Sequence, residues 1–228
     1  METNEIKIII LGSVGVGKTC IITRYKTGKF LEDIPSTQGS NYVQIIKNIN
    51  NKNYIFNFWD TAGQEKYNSL TQSFTKNSQI VILVYSIVDK KSFEALDFWL
   101  DLVKKENGDT GYTLGVAGNK SDLYQDSKVP DIKGKEYAEK IGAIWKSTSA
   151  KEDSKSIEEL INKLTENYIR ENNTKNRGST IKLNNKFFNK KQEKKGCCGS
   201  DNNKKNKSGS NMVQSNVTVA SKSEDEDF

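Results

Sequence analysis

The sequence predicts an α/β fold built on a mainly parallel six-stranded sheet with helices on both faces. Three observations carry that expectation. Short apolar runs alternate with segments of helical periodicity. Some of the runs, residues 79–85 above all, are almost continuously apolar and β-branched, as strands buried on both faces require. Finally, loops rich in glycine, hydroxyl and charged residues follow the runs at the carboxyl ends of the expected strands, where open α/β sheets place their ligands.

Residues 6–11 form the first expected strand. Gly12, Ser13, Val14, Gly15, Val16, Gly17, Lys18 and Thr19 follow directly and spell G-x-x-x-x-G-K-T, a P-loop signature for nucleotide binding. Glycine at 12 and 17 lets the backbone turn tightly and aim N–H groups at phosphate oxygens, with the positive end of the next helix behind them. Lys18 then reaches the β- and γ-phosphates, and Thr19 sets its hydroxyl on Mg²⁺. The helix covers residues 18–25, with Cys20 on its first turn as a small filler.

Residues 30–41 have no period and contain Pro35 and Gly39, so a loop carrying the Thr37 hydroxyl is expected. Residues 42–49 and 54–59 flank the polar turn 50–53 as a β-hairpin. The second hairpin strand ends on Asp60, which opens Asp60-Thr-Ala-Gly63-Gln64-Glu65. A carboxylate at a strand end holds Mg²⁺ directly or through water, and the Gln64 amide both donates and accepts, which suits orienting a water molecule. Residues 79–85 form the fourth strand. In the helix at 92–103, Phe93, Leu96, Trp99, Leu100 and Val103 face inward.

The fifth strand, 113–118, delivers Asn119-Lys120-Ser-Asp122. After a helix at 132–141, the short strand 143–146 ends in Thr148-Ser149-Ala150-Lys151. A capping box, Ser156-x-x-Glu159, starts the last helix, with Ile157, Leu160, Ile161 and Leu164 inward. Asp122 is suited to accept from guanine N1–H and its 2-amino group, a pair that adenine lacks. Charge-assisted bonds of roughly 1.5–3 kcal/mol each, with the added penalty of an unpaired buried carboxylate, give a preference of at least about a thousandfold. Asn119 ties this loop to its neighbours, the Lys120 stem covers one face of the base, and Phe30 covers the other.

Charge divides the chain. Residues 1–172 hold 23 basic and 23 acidic side chains, and 173–228 hold 12 and 6, which accounts for the net +6. The expectation is therefore a nucleotide-binding domain at 1–172 and a disordered basic tail at 173–228, with no nucleic-acid-binding domain. The absence of histidine excludes histidine-based catalysis and His-ligated metals. Three cysteines, Cys20, Cys197 and Cys198, make neither a disulfide framework nor a good zinc site. Neither a signal peptide nor a spanning segment is evident, so a protein kept in the cytosol is expected.

With these motifs in order, residues 5–170 resemble the small GTPases of the Ras superfamily and, among them, the Rab family; 64–70 and 118–123 resemble its endosomal branch. The resemblance implies a P-loop NTPase fold of the small G-protein type and a GTP-hydrolysing switch in vesicle trafficking. It also implies bound GTP or GDP with Mg²⁺, and an exchange factor, a GTPase-activating protein (GAP) and effectors as partners. It assigns Lys18 to the phosphates, Thr19 and Thr37 to Mg²⁺, Asp60 to Mg²⁺ through water, Gly63 to the γ-phosphate and Gln64 to the attacking water. Asn119, Lys120, Asp122, Ser149, Ala150 and Lys151 hold guanine. Ile34, Pro35, Ser36, Thr37, Gln38, Gly39, Ser40, Asn41 and Tyr42 resemble the effector loop; Tyr42, Trp59 and Phe74 fall where Rab proteins keep an aromatic triad.

Three departures bear on that resemblance. Val14 stands where the superfamily has glycine or serine, Gln38 where isoleucine is usual, and Ser86 where an aspartate is common. Val14 leaves a hydrolysis-poor, GTP-bound scaffold as a second reading. A P-loop ATPase or kinase is a third, although it leaves Asn119 to Asp122 unused. In the tail, residues 173–207 carry 11 basic and 2 acidic side chains, a net +9 that suits an anionic membrane surface at the cytosolic face of an endomembrane. Lys194-Lys-Gly-Cys197-Cys198 resembles the prenylated end of a Rab protein, yet thirty residues follow it here, so S-acylation of the pair is the expected lipidation.

Overall fold

The computed structural model describes residues 4–37, 39–49, 51–63 and 73–188. The chain divides into two compact units, Met1–Leu183 and Asn184–Phe228; of the second, only residues 184–188 are described, as helix. In chain order the elements are β1 (Asn4–Leu11), α1 (Lys18–Thr27), β2 (Ser40–Ile49), β3 (Lys52–Thr61), β4 (Ile80–Ser86), α2 (Lys90–Glu94), α3 (Leu96–Asn107), β5 (Thr113–Asn119), a 3₁₀ turn (Ser121–Asp126), α4 (Asp131–Lys140), β6 (Ile144–Ser147) and α5 (Ser154–Phe188).

The six strands lie in the order β2-β3-β1-β4-β5-β6. β2 runs antiparallel to β3, and each of the other neighbouring pairs is parallel, as expected. The period of two then sorts the strand side chains between two cores. Ile6, Ile8 and Ile10 of β1, with Phe56, Phe58, Ile80 and Ile82, pack in one core with Ile21, Ile22 and Tyr25 of α1 and Ile157, Leu160, Ile161 and Leu164 of α5. Ile9, Leu11, Val81, Leu83 and Tyr85 pack in the other with Leu96, Trp99, Leu100 and Val103 of α3 and Ala138 of α4. Each fully buried large aliphatic side chain contributes roughly 1.5–3 kcal/mol, so this two-sided burial outweighs any single surface contact and makes the strand ends a firm rim for loops.

Five local expectations are corrected. The hairpin turn is tighter than residues 50–53: Ile49 pairs with Lys52, and Asn51 takes φ 62°, a left-handed conformation that asparagine tolerates. The helix expected at 92–103 is two helices. Asp89 accepts from the Lys91 N–H and starts α2 early, and Ala95, at ψ −4°, ends it before α3 begins. The cap of α5 is Asp153, whose carboxylate accepts from the Ser156 N–H at 3.1 Å, so Ser156 lies inside the first turn and is not its start. The 3₁₀ turn after Asn119 was not expected. Lastly, α5 continues through the boundary at Asn172 to Phe188, where disorder was expected. No proline interrupts 173–188, and propagating a nucleated helix costs little per residue.

Candidate functional site

The carboxyl ends of β1, β3 and β5 and the loop after β6 deliver the four sequence motifs to one side of the sheet, around a cavity of about 400 Å³. Its lining comprises Val14, Gly15, Gly17, Lys18, Thr19 and Cys20 from the P-loop and α1, with Phe30, Ile34, Pro35, Ser36 and Thr37 from the following loop. Gly63 comes from the β3 loop, Asn119, Lys120 and Asp122 from the β5 loop, and Ala150 and Lys151 from the β6 loop. Thr61 and Leu123 also line it; both sit beside predicted residues, and adjacency to the motifs was the only signal that pointed to them.

The remaining predicted residues stand behind the wall. Gly12 and Ser13 offer carbonyls to the Lys18 ammonium at 2.8 and 3.0 Å. Burial pushes that ammonium down to about 8, with the Asp60 charge raising it in part, which leaves a desolvated cation at the floor of the cavity. Val16 is buried in the core, and its carbonyl accepts from Asn119 Nδ2 at 2.7 Å. Ser149 donates its hydroxyl to Asp122 Oδ1 at 2.5 Å. Because Ser149 in turn accepts from the Glu152 N–H at 2.9 Å, the Asp122 carboxylate is held from behind. Gln64, Gln38, Cys197 and Cys198 lie outside the described residues.

Asn119 is the tie that the sequence suggested. Besides its bond to Val16, its Oδ1 accepts from Thr148 Oγ1 and the Ala150 N–H, each at 3.3 Å, so one buried amide joins the P-loop, β5 and the β6 loop. Gly17, at φ 97°, leaves no room for a side chain because a Cβ there would meet Asn119 Nδ2. Asn119→Ala strands buried partners in the P-loop and in the β6 loop. At about 1–3 kcal/mol for unsatisfied groups, the expected result is a tenfold to hundredfold loss of GDP affinity by calorimetry, together with a lower melting temperature.

Metal-binding chemistry gathers at the end of β3. Thr19 Oγ1 lies 2.8 Å from Thr37 Oγ1 and donates to Asp60 Oδ2 at 2.7 Å; Thr37 Oγ1 donates to the same oxygen at 3.2 Å. The other carboxylate oxygen, Asp60 Oδ1, is buried without a hydrogen-bond partner among the described residues. Burial raises the Asp60 pKa, while Thr19, Lys18 and Thr37 pull it back. Two hydroxyls around a buried carboxylate with an orphaned oxygen are hard donors, and they fit Mg²⁺. Gly63 abuts the P-loop so closely that a Cβ would collide with the backbone of Ser13 and Val14, and the Ala62 N–H donates to the Gly39 carbonyl at 2.8 Å. The Asp60 loop therefore touches both the P-loop and the Thr37 loop.

At the outer face of this junction, Tyr42, Trp59 and Phe74 come together as expected. Tyr42 meets Trp59 edge-on at 5.5 Å, and Trp59 stacks on Phe74 at 5.1 Å. Ser40 and Asn41 pair in register with Thr61 and Asp60, so the effector-like loop runs straight into the hairpin.

Comparison with known proteins agrees with this geometry. A model of the Ras family matches residues 7–170. The chain is 38% identical to the Ras-related protein Rab-11B of Dictyostelium discoideum, over 78% of this chain and 80% of the relative. It is 39% identical to Rab-31 of Mus musculus, over 70% and 81% of the two chains, and 37% identical to Rab-21 of Geodia cydonium, over 75% and 73%. The chain belongs to the Ras family and, within it, to the Rab-type small GTPases.

Proposed function

We propose that this chain reports its bound nucleotide at the surface made by Ile34 to Tyr42 with Trp59 and Phe74, and that effector proteins dock there when GTP is bound. As a Rab-type small GTPase it is a GTP-binding switch of vesicle trafficking that binds GTP and GDP with Mg²⁺ and hydrolyses GTP. The observation that carries the detailed reading is that one cavity is lined by both Lys18 and Asp122, the latter held from behind by Ser149. In this reading Asp122, fixed by Ser149, accepts from the amino edge of guanine, with Lys120 and Phe30 against its faces. Lys18 neutralises phosphate oxygens from below. Thr19, Thr37 and Asp60 hold the Mg²⁺ that screens the phosphate charge when bound. The Gly63 N–H meets the γ-phosphate, and Gln64 orients the attacking water.

Loss of the γ-phosphate removes what Thr37 and Gly63 hold, and both loops release the surface. Analysis of the nucleotide carried by purified protein, followed over time with Mg²⁺ present, tests this: bound guanine nucleotide turning from GTP to GDP supports the switch, and retained ATP refutes it.

The basic tail is the proposed membrane element. Residues 173–207, at net +9, attract an anionic leaflet at the cytosolic face of an endomembrane, endosomal by the resemblance, and acyl chains on Cys197 and Cys198 complete the anchoring of a monomer. None of the described helices is long and apolar enough to cross a membrane. Unacylated protein is therefore expected to bind phosphatidylserine vesicles at low salt and to leave them at about 0.3 M salt, where the screening length falls well under 10 Å. Sedimentation that does not depend on salt contradicts the electrostatic step.

A further inference from the structure

We propose that Lys7 is a positioning residue for the aromatic surface: from β1 it holds Trp59 and the backbone that carries Phe74, and thereby sets the stack that a partner protein meets. The inference rests on the reading of Tyr42, Trp59 and Phe74 as the effector surface. Lys7 is the one charged residue in the run Ile6 to Leu11, and the parallel register, Lys7 beside Asn57 and Ile9 beside Trp59, puts it on the same sheet face as the tryptophan. Its backbone N–H donates to Gln79 Oε1 at 2.5 Å, which fixes the strand under the side chain. Among the described residues the ammonium has two partners, and neither is a carboxylate. Nζ lies 5.2 Å from the centre of the Trp59 ring, a cation–π contact, and it donates to the Lys76 carbonyl at 2.7 Å.

Lys76 lies two residues beyond Phe74, the ring stacked on Trp59 at an interplanar angle of 23°. One cation therefore holds both halves of the stack, the ring from β3 directly and the phenylalanine through the Lys76 carbonyl two residues further along the chain. The grip is reinforced from α3: Asn107 Nδ2 donates to the Thr75 carbonyl at 2.9 Å, and its Oδ1 accepts from the Asn77 N–H at 2.8 Å. Three consecutive backbone positions, 75 to 77, are thus held by side chains of β1 and α3, and of these side chains Lys7 alone also touches the stack. Lys7 is half-buried, and desolvation lowers its pKa, consistent with a cation drawn in from solvent to make these contacts. An apolar residue here would suit the strand equally well; what it would lack is the hold on Lys76 and the attraction to the indole face.

The test uses the full chain labelled with fluorotryptophan and loaded with GDP or a non-hydrolysable GTP analogue. Three tryptophans, Trp59, Trp99 and Trp145, give three fluorine resonances, and the Trp59 line is the one lost in Trp59→Phe. Lys7→Met keeps the stem and removes the ammonium; Lys7→Arg keeps the charge. The expected result is that Lys7→Met shifts and broadens the Trp59 line and leaves the other two in place. GDP affinity stays within about twofold, as for a site remote from the base and phosphates, and Lys7→Arg restores the line. A Trp59 line in Lys7→Met that coincides with the parent overturns the proposal. If Lys7→Met loses all three lines, Lys7→Gln carries the same comparison, and collapse of both variants overturns positioning in favour of a purely structural role. Failure of the effector reading is separately visible: the parent Trp59 line would then be identical in the GDP and analogue forms, while Lys7→Met would still move it.

Discussion

Replacing Asp122 by asparagine is expected to lower GDP affinity about a hundredfold to a thousandfold and to raise the affinity for xanthosine diphosphate, because the charge that strengthens two bonds of about 1.5–3 kcal/mol each is lost and one donor is left facing another. In the proposed reading guanine presents two donors on the edge that meets Asp122, and a carboxylate accepts both. An asparagine amide accepts one and turns its NH₂ against the other. Xanthine, which carries a carbonyl where guanine has its amino group, matches that donor. The geometry sharpens the prediction. Ser149 occupies one oxygen of Asp122 at 2.5 Å and fixes the plane of the carboxylate, so Ser149→Ala, which loosens the reader without removing it, costs only about tenfold. Competition binding with GDP, XDP and ADP measures both effects, and an Asp122→Asn variant with unchanged GDP affinity removes Asp122 from the base pocket.

Substituting serine for Val14 is expected to raise single-turnover GTP hydrolysis by at least about tenfold in the presence of an arginine-supplying partner, whose contribution of about 10³–10⁵ a crowded site withholds. Val14 is 52% exposed, lines the cavity, and belongs to the stretch of P-loop backbone against which Gly63 packs. In the proposed reading its branched side chain stands where a water molecule and an incoming guanidinium approach the γ-phosphate. Because an exposed valine contributes little to the core, the variant keeps its fold and its GDP affinity, and the rate is the readout. An unchanged rate means that the loop relaxes around valine and that Val14 is no brake.

Much of this architecture is legible from residue pattern, for a physical reason. Strands such as Ile80–Ser86 are buried on both faces, so their apolar character is continuous and their ends are marked by the first residues that need water or a ligand: Gly12, Asp60 and Asn119. The role of Asn119 as a tie was readable because a buried amide has to satisfy both its donor and its acceptor, and only the neighbouring loops offer partners. What escaped the sequence depends on distances between segments far apart in the chain. That Gly63 has no space for a Cβ is a consequence of the Ser13–Val14 backbone fifty positions earlier, and nothing local announces it. Ser156 and Asp153 are equally good caps by composition, and the choice falls to Asp153 because its carboxylate reaches the Ser156 N–H. Lys7 was passed over as one charge in an apolar run, since its two partners, Trp59 and Lys76, lie 52 and 69 positions away. The continuation of α5 past Asn172 shows the limit of composition: a polar, lysine-rich stretch reads as disordered, yet it extends a helix already nucleated on a buried apolar face.

The central claim is that loops from four separate strand ends form one receptor selective for guanine. Titration calorimetry on the nucleotide-stripped full chain, with GDP and ADP in the presence of Mg²⁺, tests it most directly. The prediction is a GDP affinity at least about a thousandfold above that for ADP, the difference that two charge-assisted bonds to one base edge supply together with the penalty for leaving the carboxylate unpaired against adenine. Equal affinities for the two nucleotides would contradict it.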